Sequence, residues 1–218
     1  MYKRQAKEIA SPQLRNMGTV GGNICQRPRC WYYRGDFDCI RKGGDTCYAV
    51  GGENKYHCII GGGPCFIVHP SDLAVALLAL DAKIEITSEN GQKTVPVNDF
   101  FILPEDDETK ENILEPGEIV TKIILPEQAK GFKTTYIKFK ERSSWDFAVV
   151  SVAAVLKTDG NMIKNGKLAF GGVAPHPWME AEINQKLTGL NTDEASVDAF
   201  TSSLFHNAEP MEKNEYKV

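Results

Sequence analysis

Cysteine is absent from all but one stretch of this 218-residue chain, and that stretch lacks the pairing typical of zinc sites. All six cysteines lie within residues 25–65, at intervals of C-x4-C, C-x8-C, C-x7-C, C-x10-C and C-x6-C. Structural zinc sites usually draw on close pairs such as C-x2-C, and no such pair occurs here. No apolar leader opens the sequence, which disfavours the oxidising compartments in which disulfides form.

Long apolar runs and basic clusters are also missing. No run approaches the roughly 20 apolar residues that a membrane-spanning helix needs. The net charge is −4, from 25 Lys and Arg against 29 Asp and Glu, so the sequence predicts no nucleic-acid partner. Hydrophobic residues make up 42% and charged residues 25%, which are ordinary values for a globular protein of one or two domains. No nucleophile–base pair or acid–base pair stands out, so we predict no catalytic residue.

The cysteine segment, residues 25–65, is instead rich in groups that suit a bound inorganic centre. It contains glycines at 43–44, 51–52 and 61–63 and the aromatic run 31–33. Thiolates are the ligands of iron–sulfur clusters, and glycine lets the backbone wrap closely around a bulky group. We therefore favour an iron–sulfur cluster. A zinc site, disulfides and buried free cysteines remain as alternatives.

A second signal lies just upstream, in Thr19-Val20-Gly21-Gly22-Asn23. The two glycines leave backbone N–H groups open to an anion, and the flanking side chains add polar groups. Taken alone, such a sequence is typical of an ordinary turn.

The pattern of apolar residues predicts an α+β chain in two parts, 1–126 and 131–218. Ser71 or Asp72 can cap a helix whose body is apolar throughout, and which we expect to be buried on most sides. Asn90-Gly91 between two β-rich runs predicts a hairpin. The acidic loop 103–112 is expected to be solvated, and His176 to be a loop histidine without a catalytic role. The predicted strands are 83–87, 94–97, 119–125, 134–140, 148–156 and 167–173, and the later helices are 181–187 and 193–204.

Two longer strings, ASPQLRNMGTVGGN at 10–23 and HPSDLAVALLALDA at 69–82, carry a family resemblance. They resemble the FAD-binding (medium) subunits of molybdenum hydroxylases of the xanthine dehydrogenase and carbon monoxide dehydrogenase type. The cysteine segment between them, with RCWYYRGDFDC and GGDTC, resembles the subgroup that holds an additional [4Fe–4S] cluster, such as periplasmic aldehyde oxidoreductase flavin subunits. The resemblance implies the C-terminal half of a PCMH-type (vanillyl-alcohol-oxidase-like) FAD-binding domain, followed by an antiparallel sheet with helices.

The same resemblance implies site residues, cofactors and partners. The cluster ligands would be Cys30, Cys39, Cys47 and Cys65, with Cys25 and Cys58 as extra thiols. The FAD contacts would be Thr19, Gly21, Gly22, Asn23, Asp72, Leu114 and Lys138. The implied partners are a molybdenum-cofactor large subunit and a [2Fe–2S] small subunit, and the role is electron relay to an external acceptor.

Ordinary structural roles remain as alternatives for three of these residues. Leu114 can be core, Asp72 can be only a helix cap, and Lys138 can be an exposed charge on an edge strand.

Members of this family begin with a region that carries a glycine-rich pyrophosphate loop, whereas only nine residues precede the first motif here. We therefore expect the 218-residue chain to be truncated at both ends and, by itself, to bind FAD weakly. A zinc-stabilised binding module and a fragment without flavin are the alternative functions. Cluster assembly favours the cytoplasm, with the periplasm as the alternative if a partner directs export.

Overall fold

Two antiparallel sheets and one buried helix organise the chain in the computed structural model, which describes residues 1–127, 131–143 and 145–218. The helices are α1 Tyr2–Glu8, α2 Pro12–Met17, α3 Val20–Ile24, α4 Trp31–Arg34, α5 Asp72–Ala79, α6 Ala181–Leu187 and α7 Glu194–Thr201. The strands are β1 Lys83–Ser88, β2 Gly91–Pro96, β3 Ile119–Ile124, β4 Phe132–Phe139, β5 Val150–Asp159 and β6 Met162–Gly171. The predicted α+β class is confirmed.

Helix α5 lies at the centre of the main core, as its apolar sequence predicts. Ser71 is its N-cap, because the Ser71 hydroxyl accepts a hydrogen bond from the backbone N–H of Ala74 at 3.1 Å. The helix packs against β5 and β6. Its buried residues share one apolar cluster with Ile84 and Ile86 of the first sheet and with Ala153 of the second. One helix therefore links the two halves of the chain.

The first sheet has strand order β2-β1-β3, with both pairs antiparallel. The predicted hairpin is present, and Ser88 pairs with Gly91 across the turn. Gly91 has φ of 120°, a backbone conformation that side chains disfavour, so glycine is required at this position. The second sheet has order β4-β5-β6, also antiparallel, and carries α6 against β6.

The first nine residues, which show neither a cap nor a periodic pattern in the sequence, contain a helix. Helix α1 packs against α5 and β4, and its Gln5 is fully buried. The amino group of Met1 donates to the Thr134 hydroxyl at 3.0 Å. A seven-residue helix is marginal by itself, so these tertiary contacts stabilise it.

The cysteine segment is anchored to the acidic loop 103–112. Each residue of this loop except Pro104 is at least partly exposed, so the loop is largely solvated apart from these contacts. Arg41 lies buried and forms an ion pair with Glu111 at 2.7 Å. The same guanidinium donates to the carbonyls of Glu108 at 2.7 Å and Lys110 at 2.9 Å. The Glu111 carboxylate also forms an ion pair with the Arg27 guanidinium at 3.0 Å. The loop therefore holds two arginines of the cysteine segment in place.

The C-terminal strap, residues 211–218, holds the other end of the cysteine segment. Asn214 donates to the carbonyls of His57 at 3.2 Å and Cys58 at 3.0 Å. Lys217 is buried and donates to the carbonyls of Tyr56, His57 and Gly172 at 2.8–3.1 Å. In the part of the chain that the structure describes, no helix is long and apolar enough to cross a membrane.

Candidate functional site

A cavity of about 450 Å³, called the large cavity below, lies between the cysteine segment, the start of α5 and residues 141–142 and 146–149 before β5. This volume lies within the 300–1,000 Å³ range of typical ligand sites. Its lining combines aromatic surface from Trp31 and Phe147 with charge from Asp72 and Arg142. Such a lining suits a planar ligand that also carries polar groups.

Asp72 is the buried acid of this cavity, and it is paired with Lys138. The ammonium of Lys138 lies 2.7 Å from the Asp72 carboxylate, and the Tyr136 hydroxyl donates to the same carboxylate at 2.9 Å. Lys138 also donates to the carbonyls of Glu8 and Asp146. Burial raises the pKa of Asp72, against the opposing effect of Lys138. The side chain of Lys138 is 1% exposed, so it is not the exposed edge-strand charge of the alternative interpretation.

The Thr19–Asn23 motif forms α3, a one-turn helix, rather than an open loop. The Thr19 hydroxyl caps this helix by accepting the N–H of Gly22 at 3.0 Å. The Asn23 side chain accepts the Ser71 hydroxyl at 2.7 Å, which ties the motif to the cap of α5. Gly21 faces β3, where an added Cβ would lie 3.5 Å from the Val120 carbonyl oxygen.

Four of the six cysteines line a second, much smaller cavity: Cys30, Cys39, Cys47 and Cys65. Its volume is about 10 Å³, room for about one water molecule, so the four residues meet along a narrow seam. Cys25 lies outside the seam, at the C-terminal end of α3, and Cys58 is 1% exposed and also outside it. All six thiols are free. Among the described residues, no three His, Cys, Asp or Glu side chains are arranged to hold a single metal ion.

The electrostatics differ among these thiols. Burial raises the pKa of Cys58 to about 12 and that of Cys65 to about 11. At Cys65 the guanidinium of Arg41 opposes this rise. Burial also raises the pKa of Cys30, and the nearby backbone N–H groups of Tyr33 and Tyr32 oppose this rise only in part. Burial therefore favours the protonated thiol at Cys30, Cys58 and Cys65.

The two cavities share a wall. Cys30, His57 and Ile67 line both of them. The Nε2 atom of His57 lies 3.3 Å from the Cys30 sulfur. Burial lowers the pKa of His57 to about 4, so its ring is neutral at neutral pH. A redox group in one cavity would therefore be separated from a redox group in the other by only a few side chains.

Comparison with known proteins matches residues 1–128 to the FAD binding domain in molybdopterin dehydrogenase. Residues 135–218 match the CO dehydrogenase flavoprotein C-terminal domain. The chain belongs to the molybdopterin dehydrogenase FAD-binding family. The family resemblance read from the two motifs is confirmed.

Curated relatives of this family member include the aldehyde oxidoreductase FAD-binding subunit PaoB of Escherichia coli (strain K12). It is 36% identical over 213 residues, covering 96% of this chain and 64% of that protein. The carbon monoxide dehydrogenase medium chain of Hydrogenophaga pseudoflava is 26% identical, covering 95% of this chain and 56% of that protein.

Among solved structures, carbon monoxide dehydrogenase from Hydrogenophaga pseudoflava superimposes with a TM-score of 0.66 at 26% identity, covering 98% of this chain and 60% of that chain. The present chain thus spans 56–64% of the length of these relatives.

Within this family member, the structure brings together only part of the predicted FAD set. Asp72 lines the large cavity, Lys138 pairs with it, and Asn23 reaches it through Ser71. Thr19, Gly21, Gly22 and Leu114 lie outside the lining formed by the described residues. Leu114 is half-buried against the main core, as the alternative core interpretation holds, and its role toward FAD stays a prediction.

Sequence reasoning missed several residues of the site. Tyr136 could have been found, because it alternates with Lys138 along β4 and therefore shares its face of the sheet. His57 has no local signal, since only the folding of the cysteine segment brings it to Cys30. His69 lines the large cavity, and burial lowers its pKa to about 3. His176 is a half-buried loop residue whose Nδ1 lies 2.6 Å from the Pro177 carbonyl oxygen.

Proposed function

We propose that this protein is the FAD-binding electron-transfer subunit of a molybdenum hydroxylase of the xanthine or aldehyde dehydrogenase type, and that it holds one [4Fe–4S] cluster beside the flavin. The observation that carries the proposal is the shared wall between the two cavities, formed by Cys30, His57 and Ile67. Two redox groups held this way exchange electrons without a further relay. The protein's contribution is to position and tune the two groups, rather than to make or break bonds.

For FAD, the large cavity supplies aromatic surface and a buried acid. Asp72, fixed by Lys138 and Tyr136, presents an acceptor to polar ring edges, while Trp31 and Phe147 provide apolar contact. We propose that Thr19, Gly21, Gly22, Asn23 and Leu114 hold other parts of the cofactor, in line with the family motif. When bound, FAD supplies the exchange of electrons with an external acceptor.

The four cysteines of the seam are a suitable set of ligands for the cluster. An iron–sulfur cluster of this type takes four thiolates, and Cys30, Cys39, Cys47 and Cys65 line one cavity. Burial raises the pKa of Cys30 and Cys65, so cluster assembly would release a proton from each of these thiols. Because the seam is narrow, we expect the cysteine segment to adjust as the cluster assembles, a coupling that is usual at metal centres.

A zinc-stabilised binding module is the competing function. Four thiolates around one zinc at about 2.3 Å would lie within about 4 Å of one another. The described residues show no metal-ion grouping of this kind. A cluster spreads its four thiolates over four irons, so its cysteines need not converge on one point.

We propose the partners implied by the family, a molybdenum-cofactor large subunit and a [2Fe–2S] small subunit, which would deliver electrons to this subunit. We propose that the complex is cytoplasmic, because cluster assembly favours a reducing compartment, with the periplasm as the alternative if a partner subunit directs export. The two domains would be 1–126, with the cysteine segment as an insertion, and 131–218.

The test is to purify the protein anaerobically and measure iron, acid-labile sulfide, zinc and released flavin. We expect about four irons and four sulfides per chain. Serine at Cys30, Cys39, Cys47 or Cys65 should lose cluster iron, whereas the matched controls Cys25→Ser and Cys58→Ser should keep it. Zinc without iron, or iron loss in a control with retention in Cys65→Ser, would contradict the cluster assignment.

A further inference from the structure

We propose that His57 donates a hydrogen bond from Nε2 to the Cys30 sulfur and thereby sets the reduction potential of the cluster. The proposal rests on the proposed [4Fe–4S] cluster, and it assigns a tuning role to a side chain outside the ligand set. His57 lies between the two cavities, so it acts on the cluster at the side that faces the large cavity.

The geometry supports a donated hydrogen bond. Nε2 lies 3.3 Å from the sulfur, within the distance expected when sulfur is the acceptor. His57 is buried, and its Nδ1 atom has no hydrogen-bond partner among the described residues. A proton on Nδ1 would be a buried donor without an acceptor, which is costly, whereas a proton on Nε2 is satisfied by the sulfur. The tautomer with the proton on Nε2 is therefore favoured.

The Cys30 sulfur is positioned to receive this bond. Cys30 is the N-cap residue of α4, but its sulfur forms no capping hydrogen bond with that helix. His57, 27 residues further along the chain, therefore supplies the hydrogen-bond donor at this sulfur among the described side chains. A sulfur that accepts a hydrogen bond is better suited to hold negative charge, which is greatest when the cluster is reduced.

The C-terminal strap fixes His57 in place. The His57 carbonyl accepts from both Asn214 at 3.2 Å and Lys217 at 2.9 Å. Lys217 forms no ion pair among the described residues, so the strap also brings an uncompensated positive charge close to the cysteine segment. Both effects favour the more negative, reduced form of the cluster.

Hydrogen bonds to cluster sulfurs are among the features that set reduction potentials. Removing the donor should therefore shift the midpoint potential downward. His57→Phe removes the donor and keeps a planar ring, whereas His57→Gln keeps an N–H donor at a similar reach. The matched control is His206→Phe, which makes the same change at an exposed histidine in the second half of the chain.

The experiment is an EPR-monitored redox titration of the anaerobically purified protein and its three variants, after iron analysis of each. We expect a lower midpoint potential in His57→Phe and values close to the wild type in His57→Gln and His206→Phe. An unchanged potential in His57→Phe, with the cluster intact, would overturn the proposal.

A second measurement needs no variant that might fail to assemble. In wild-type protein labelled with ¹⁵N-histidine, pulsed EPR of the reduced cluster should show a weak coupling between the cluster and a ring nitrogen of His57. Loss of that coupling in His57→Gln would support the assignment. The absence of a coupling in the wild type, or a coupling as strong as that of an iron-bound nitrogen, would overturn it. Wild-type protein without iron and sulfide would instead refute the cluster itself, and iron analysis shows this first.

Discussion

Replacing Lys138 by methionine tests the buried charge pair beside the large cavity. The change keeps the length of the side chain and removes its charge. Asp72 would lose its partner at 2.7 Å and keep only the Tyr136 hydroxyl at 2.9 Å. The carbonyls of Glu8 and Asp146 would also lose a donor.

The magnitude follows from burial. The side chains of Lys138 and Asp72 are 1% and 8% exposed. Removing one partner of a buried ion pair costs about 3–5 kcal/mol, because the other charge stays buried without compensation. The retained Tyr136 bond offsets part of this, so we expect a loss near the lower limit, about 3 kcal/mol. For a chain of this size the loss corresponds to a melting temperature lower by roughly 6–12 °C.

The assay is thermal unfolding of the wild type, Lys138→Met and the double variant Lys138→Met/Asp72→Asn at pH 7 and pH 5. The double variant removes both charges and should recover at least half of the loss. The pKa of Asp72 lies above its usual value in the folded protein, and the loss of Lys138 raises it further. The folded state of Lys138→Met therefore binds this proton more tightly than the unfolded state, so lowering the pH toward that pKa restores stability. A single variant that melts within about 2 °C of the wild type, or a double variant no better than the single one, would refute this reasoning.

Two further predictions concern the anchoring of the site. Glu111→Gln leaves Arg41 buried without its carboxylate, so we expect the free energy of unfolding to fall by about 3 kcal/mol and proteolytic cleavage within residues 25–65 to become faster. The control is Glu105→Gln, at an exposed position in the same loop, and equal cleavage in both variants would contradict the anchoring role. Ser71→Ala removes the cap of α5 and the bond to Asn23, so we expect the free energy of unfolding to fall by about 1 kcal/mol and the melting temperature by about 2–4 °C. The control is Ser203→Ala at an exposed position, and a Ser71→Ala protein as stable as the wild type would contradict the cap assignment.

Local chemistry made parts of the fold predictable. Ser71 before an unbroken apolar run predicts a capped, buried helix, and the structure has one. Asn90-Gly91 predicts a tight hairpin, because glycine at this position accepts the φ of 120° that the turn needs. In both cases the residues that determine the structure are close together in the sequence, so the pattern contains the physical cause.

Long-range contacts were not predictable in the same way. The pairing of Arg41 with Glu111 spans 70 residues, and Glu111 lies in a loop that is otherwise largely exposed to solvent. The bond between Lys217 and the His57 carbonyl spans 160 residues. No periodicity or local motif connects such positions, since the contact exists only once both segments are folded.

The candidate site shows the same division. The motif residues Asp72 and Lys138 were identified individually, but their ion pair was not expected. Because Tyr136 and Lys138 lie two residues apart along β4, their side chains share one face of the sheet, and the sequence could have predicted that both approach Asp72. No local pattern predicts the contact of His57 with Cys30, because the two residues are 27 positions apart in an irregular segment.

The anchoring of the cysteine segment bears directly on the proposed electron relay. Ile59 and Ile60 pack into the apolar cluster of the second half of the chain, beside Phe170 and Trp178. At its other end, Arg41 is fixed to the acidic loop of the first half. A segment held to both halves cannot shift with respect to either without breaking a buried contact. The segment as a whole is therefore fixed, and in the proposed relay the adjustment that accompanies cluster assembly stays local to the seam, which keeps the wall between the two cavities thin.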